Sequence, residues 1–218
     1  AFGAVPRFLA VIDFECTCFK PQTVAHEIIE FPVVLLDLAR AAGNDDDATS
    51  RRLFWNNAPT FHSFVRPTEQ PTLSAFCARL TGVAQRDVDA APTLDVVLGR
   101  VDAWLREEMR RSVEASRGLL LRGDDEQTSP FIVMESSFAA AFDAPFDVKR
   151  FLAPECFRKR FKLPEYYLRW VDVSKHLLKL DKAAKCPLEE KMRRAGLEFE
   201  GRPHSGLDDA RNIAPLAR

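Results

Sequence analysis

No apolar run in this chain approaches the ~20 residues that a membrane-spanning helix needs, and its start carries no signal-peptide pattern. The expectation is a protein that works in water with no membrane partner. Charge of one sign is also missing: 31 Lys and Arg stand against 32 Asp and Glu, a formal net charge of −1. There is no global basic field to draw in a polyanion, so any nucleic-acid attraction must come from local patches and bound cations. Cysteines are few, scattered and odd in number: Cys16, Cys18, Cys77, Cys156 and Cys186. Cys16 and Cys18 would make an awkward local bridge, and no second pair completes a zinc site. They read as reduced thiols, which places the protein in a reducing intracellular compartment, cytoplasm and/or nucleus. The chain shows no internal repeat and no low-complexity tail, and it begins without Met, as a trimmed chain would. What is present is a core: 46% of the 218 residues are hydrophobic, 17 of them Phe, which suits one large domain spanning 1–218.

Along the chain, strands come first. RFLAVIDFE is an apolar run entering an acidic end, HEIIEFPVVLLDLAR holds a second strand around Phe31 to Leu38, and a third is ended by Pro67. Helices follow. PTLSAFCARLTG stops at Gly82, and APTLDVVLGRVDAWLREEM sets Leu94, Val97, Leu98, Val101, Trp104 and Leu105 on one face. The region near 110–130 is polar and reads as an insertion or loop, with room for a short strand at Leu119 to Leu121. A strand in FIVMESSFAAAF leads to Asp147 and a helix, a strand in RWVDVS leads to a helix from Lys175, and helices over LEEKMRRAG and SGLDDARN close the chain. Strands first, then alternating helices and strands, predict an α/β domain with a mixed central sheet.

Four acids and one histidine carry the chemistry. Asp13 and Glu15 lie two apart on a strand, so their carboxylates share a side while Phe14 points the other way. Hard ions such as Mg²⁺ and Mn²⁺ favour carboxylate oxygens; a merely polar strand end is the plainer reading of D-x-E alone. Asp147 stands before an amphipathic turn, where a helix N-cap is the ordinary role, and Asp143 is a close decoy. Ser205 and Asp208 fit a capping box, which leaves His204 just outside the last helix and Asp209 free in its first turn. A histidine there is suited to take a proton near neutral pH, although a lone loop histidine is usually solvated and idle. His26, His62 and His176 receive that idle reading. Each fragment is weak; their order and separation together describe a two-metal phosphodiesterase site.

At these residues the chain resembles the DEDD exonuclease superfamily, in the subgroup whose last motif carries His (DEDDh). IDFECTC resembles its first motif, FDVKRFL its second and GRPHSGLDDARNIA its third, and HEIIEFPVVLLD and FHSFVRPTEQPTLSAFCARLTGV are similar to the small exoribonucleases of the enhanced-RNAi type. The likeness covers residues 8–217. It implies a ribonuclease H-like fold, with a five-stranded mixed sheet flanked by helices. It also implies two Mg²⁺ (or Mn²⁺) on Asp13, Glu15, Asp147 and Asp209, with His204 as general base. Phe14, Cys16, Thr17, Leu80, Thr81 and Phe146 would meet the terminal nucleotide. Asn212 would orient the final motif, and Glu30 would sit either behind the first motif or in a capping or surface role. The implied activity is 3′→5′ exonucleolytic release of 5′-mononucleotides from RNA with a free 3′ end. Two departures stand out: Ala144-Pro145-Phe146-Asp147 replaces the family's G-D-W-D, and Cys16 replaces a frequent Ala. A DNA-directed exonuclease would use the same site, and a catalytically silent RNA-binding or scaffold protein is the alternative of a different class. Lys149–Arg150, Arg158–Lys159–Arg160–Lys162 and Arg193–Arg194 are either a backbone track or solvated helix faces. No separate RNA-binding module is visible, which leaves targeting to a protein partner or to sequence outside this chain.

Overall fold

The computed structural model describes residues 6–22, 24–41, 55, 57–120, 138–176 and 186–217. Six strand segments form one mixed sheet. β1 (Phe8–Val11) and β2 (Glu15–Cys16) both run antiparallel to β3 (Ile28–Asp37). Val11 faces Val34 and Glu15 faces Glu30, so both segments keep one register across Ile12–Phe14 and form a single interrupted strand. β4 (Thr60–Phe64) pairs antiparallel with β3, while β5 (Phe138–Phe142) and β6 (Trp170–Asp172) continue in parallel beyond β1. Counted as lines, the order is β4, β3, β1 with β2, β5, β6. That is the five-stranded mixed sheet the motifs imply.

The period of two in these strands divides the core between two faces. Phe8, Ala10, Ile12, Phe138, Ala140 and Phe142 pack against the long helix α3 (Leu94–Leu120), through its Leu94, Val97, Leu98, Val101, Leu105 and Met109. Leu9, Val11, Val34, Leu36, Ala139 and Ala141 pack against Met192, Ala210 and Ile213 on the other side. With both faces covered, β1 is apolar and buried at all four positions, as a central strand must be. A third, smaller cluster joins Ile29, Leu73, Cys77, Val83 and Val88 beneath two short helices, α1 (Ala75–Thr81) and α2 (Gln85–Asp89). The Ser74 side chain accepts from Cys77 N at 2.9 Å to start α1, and Gly82 ends it with φ 77°.

Two local expectations are corrected. The polar stretch after Arg110 is not a loop: α3 runs on to Leu120, so no strand begins at Leu119. Its polarity is that of a solvated helix laced by i,i+3 and i,i+4 pairs, among them Arg110 with Glu107 and Glu114 and Arg111 with Glu107. Leu121 and the rest of the segment to 130 lie outside the described residues. The capping box is also absent. The Ser205 side chain makes no cap at the start of the last helix, α6 (Gly206–Ile213); α4 (Ala153–Lys159) and α5 (Leu188–Arg194) precede it. The buried Glu30 carboxylate takes that role, accepting from Gly206 N at 3.1 Å and Leu207 N at 3.3 Å. Asp208 instead accepts from Arg202 N at 3.0 Å. Glu30 thus caps α6 from strand β3, beside Glu15.

Candidate active site

The interruption of the central strand builds the site. Asp13 sits in the gap and Glu15 at its far side, both facing a cleft of about 240 Å³. β5 leads to Asp147, the first residue of a π-helical turn, Asp147–Leu152, that joins α4. The Asp147 Oδ1 atom accepts from Phe14 N at 3.0 Å, so the freed backbone of the gap is tied to the second acidic element. Asp209 lies in the first turn of α6, and its Oδ2 accepts from His204 N at 3.0 Å. His204 is held at φ 61°, a left-handed conformation that non-glycine residues rarely adopt and that gathers at functional sites. Glu15, His204 and Asp209 each offer a ligand atom, all within 4.8 Å of one another. Gly206 lets α6 come this close: a Cβ there would lie 2.7 Å from the Asp13 carbonyl oxygen.

The carboxylates oppose one another's ionisation. Burial, then the charges of Asp147, Asp209 and Glu15, hold the Asp13 carboxyl well above its ordinary range. Burial pushes Glu15 up to about 9, aided by Asp209, Glu30 and Asp147 and countered by Arg202. Asp147 and Asp209 both rise to about 7, chiefly by burial, against the backbone hydrogen bonds from Phe14 and His204 that favour their charged forms. A cluster of acids that resist charging is one that gains from positive charge brought among them. Carboxylate oxygens in such number suit a hard divalent ion.

The cleft gathers Asp13, Glu15, Asp147, His204 and Asp209 with Phe14, Cys16 and Leu80. Other residues tied to the nucleotide lie differently. The Phe14 ring points away into the core, edge-on to Phe31 at 4.6 Å, so it is the backbone of this residue that belongs to the site. The Thr17 hydroxyl is buried and accepts from Glu27 N at 2.9 Å. The Thr81 hydroxyl donates to the Cys77 carbonyl and accepts from Val83 N. Both threonines are therefore occupied within the fold. Phe146 is 46% exposed beneath the Arg150 guanidinium, outside the cleft lining. Asn212 is buried and clamps Glu200 through both its N–H and its C=O, which anchors the chain leading to His204. Asp143 is engaged elsewhere, with Lys191 and Ser174. Among the basic clusters, Lys159 lies between Glu27 and Glu155, Arg158 on Glu69, and Arg193 and Arg194 on Glu190.

Sequence reasoning missed His26, Phe151 and Cys18 in the cleft, and the support from Arg202. The Arg202 guanidinium donates to the carbonyls of Arg79 and Leu80 at 2.8 and 3.1 Å, and lies where a side chain at Gly82 would be. It thereby ties the His204 loop to the end of α1. His26 was legible only through pairing, since the antiparallel β2–β3 arrangement brings residue 26 beside residue 17.

A sheet with an interrupted acidic strand, an acid at the following parallel strand, and a His-Asp pair at the last helix define a DEDDh-type nuclease site. Comparison with known proteins agrees on the family and the fold. The exonuclease family model matches residues 10–112. The chain is 38% identical over 212 residues to the zebrafish (Danio rerio) ERI1 exoribonuclease 2, covering 97% of this chain and 34% of that protein. It is 33% identical to the Drosophila melanogaster 3′-5′ exonuclease Snipper, covering 96% of this chain and 67% of that one. The nuclease domain of 3′hExo, a DEDDh family member bound to rAMP, superposes with a TM-score of 0.71 at 30% identity, covering 100% of this chain and 92% of that one. This chain belongs to the DEDDh exonuclease family. It spans roughly one third to two thirds of the length of the curated relatives named here.

Proposed function

We propose that this chain is a 3′→5′ exoribonuclease that releases 5′-mononucleotides from RNA with a free 3′ end. One observation carries the reading: four carboxylates with raised pKa values and one strained histidine converge on a single cleft at the gap in the central strand. Asp13, Glu15, Asp147 and Asp209 would hold two divalent ions, Mg²⁺ or Mn²⁺, which supply positive charge to the scissile phosphate and to the departing 3′-oxygen. His204, exposed at the mouth of the site, accepts the proton of the attacking water. The water oxygen bonds to phosphorus, the P–O3′ bond breaks, and the leaving oxygen takes a proton to become the new 3′-hydroxyl. Leu80 gives the terminal base an apolar surface. Asn212 and Arg202 position the loop that carries His204. RNA is proposed over DNA because the zebrafish relative is an exoribonuclease and a similar structure, at 29% identity, is of a 3′-exonuclease recognising the 3′ end of a histone mRNA stem-loop. Targeting by a protein partner, or by sequence outside this chain, belongs to the same proposal.

The test is digestion of a 5′-labelled single-stranded RNA with Mg²⁺ or Mn²⁺, beside its DNA counterpart and the Asp13→Asn protein. A ladder shortening from the 3′ end, abolished by EDTA and in the variant, is expected. RNA that binds but stays intact under both metals would instead identify a silent binder.

A further inference from the structure

His26 lines the cleft together with Phe151, Leu80 and the catalytic carboxylates, yet the reaction described above gives it no task. Its ring is fixed from two sides. Nδ1 lies 2.7 Å from the Thr17 carbonyl oxygen, and the ring meets Phe151 edge-on, with centroids 5.1 Å apart and planes at 79°. Its backbone is fixed as well: the His26 carbonyl accepts from Arg158 at 3.0 Å, and the adjoining Glu27 carboxylate accepts three backbone N–H groups. Rigid support of this kind is what a recognition residue needs and an idle surface histidine lacks.

The Thr17 carbonyl can only accept, so Nδ1 carries the ring proton of the neutral imidazole. Nε2 is then a bare acceptor, and no described residue donates to it. A bare acceptor in a cleft lined by carboxylates does not suit phosphate oxygens, which only accept. It suits an O–H or N–H donor. Leu80 in the same cleft offers an apolar surface for the base plane, and the acids face the phosphate. The terminal nucleotide is left with its sugar edge, whose hydroxyls donate.

We propose that His26 is a specificity-determining residue, whose Nε2 accepts a hydrogen bond from a ribose hydroxyl of the 3′-terminal nucleotide. Phe151 and Thr17 set the angle of the ring. The inference rests on the exoribonuclease reading for its substrate, and its test separates the two. Binding of AMP, 2′-deoxy-AMP and 3′-deoxy-AMP is measured by calorimetry for the wild-type protein, His26→Asn and His26→Gln. kcat/KM is measured on RNAs that differ only in those terminal hydroxyls. Asn keeps a donor for the Thr17 carbonyl but has no acceptor at the Nε2 position; Gln restores a distal acceptor. In the wild type, removal of one particular hydroxyl is expected to weaken binding and kcat/KM about three- to tenfold, the worth of one neutral hydrogen bond. In His26→Asn that ratio falls to about one, with partial return in His26→Gln. An unchanged ratio in His26→Asn overturns the inference. So does a wild type indifferent to both hydroxyls, or a variant that alters preference among the four terminal bases instead. If no RNA is shortened but the nucleotide-binding ratios behave as expected, the exonuclease reading fails and the role of His26 stands.

Discussion

Single side chains at this site set stability and chemistry against each other. Asp13 is buried among Asp147, Asp209 and Glu15, and its charge is unwelcome until a cation arrives. Replacing it with a neutral isostere, Asp13→Asn, should raise the melting temperature measured in EDTA by about 2–6 °C. The same change should lower RNA cleavage at least ~10²-fold. Thermal melts and a 3′-shortening assay on one preparation check both halves, and a lower melting temperature would refute the repulsion argument. His204 offers the complementary case. At φ 61° its backbone favours glycine, so His204→Gly should keep or slightly raise stability. If His204 is the general base, as proposed, activity should drop ~10²–10⁴-fold. Because the position is exposed, imidazole added to the buffer should restore part of that rate. If imidazole restores nothing, His204 has another role.

At the level of elements, the best-read parts were those whose patterns are local. The apolar run before Asp13, the 94–105 face of α3 and the Gly82 stop all follow from period and capping. Placement by pairing was not legible. Nothing in residue spacing tells that Glu30 would cap α6 from 176 positions away, or that Lys159 would turn inward from a run of surface-type cations. Asp143 and Asp147 were inseparable in sequence because four residues carry either acid to the end of β5. Packing separates them, by giving Asp143 to Lys191 and Asp147 to Phe14 N. Lys159 supplies the test at this scale. Its ammonium lies between two buried carboxylates, 2.5 Å from Glu27 and 2.6 Å from Glu155, and joins α4 to the β2–β3 connection that carries His26. Lys159→Ala leaves both acids without their cation and should destabilise the fold by roughly 3–5 kcal/mol. Denaturant unfolding measures this, and a change below ~1 kcal/mol would show that Glu27 is sustained by its backbone donors alone.

For the molecule as a whole, the acidic centre couples folding to protons and metal. Asp147 and Asp209 rise to about 7 and Glu15 to about 9 in the fold, against ordinary values of ~4 in the unfolded chain. Between those limits the folded state binds the extra protons. The stability these groups give without metal is therefore fully present at and below ~pH 4, and is lost as pH rises through 7 towards 9. A divalent ion competes for the same oxygens, so the rise in melting temperature on adding Mg²⁺ or Mn²⁺ should grow from about pH 5 to pH 8. A metal effect that is flat across that range would exclude these carboxylates as the ligands. The gap between β1 and β2 has one more consequence. Asp13 sits inside the central line of the sheet, with Ile12 N bonded to Ala141 O at 2.9 Å, whereas Leu80 rides on α1 above the small cluster of Ile29, Leu73 and Cys77. In amide hydrogen exchange, the amides around the acids should open only with global unfolding, while those of α1 exchange by a cheaper local excursion. The acidic half of the site would then behave as bedrock, and the half proposed to meet the nucleotide as a hinge-side jaw able to let each product go.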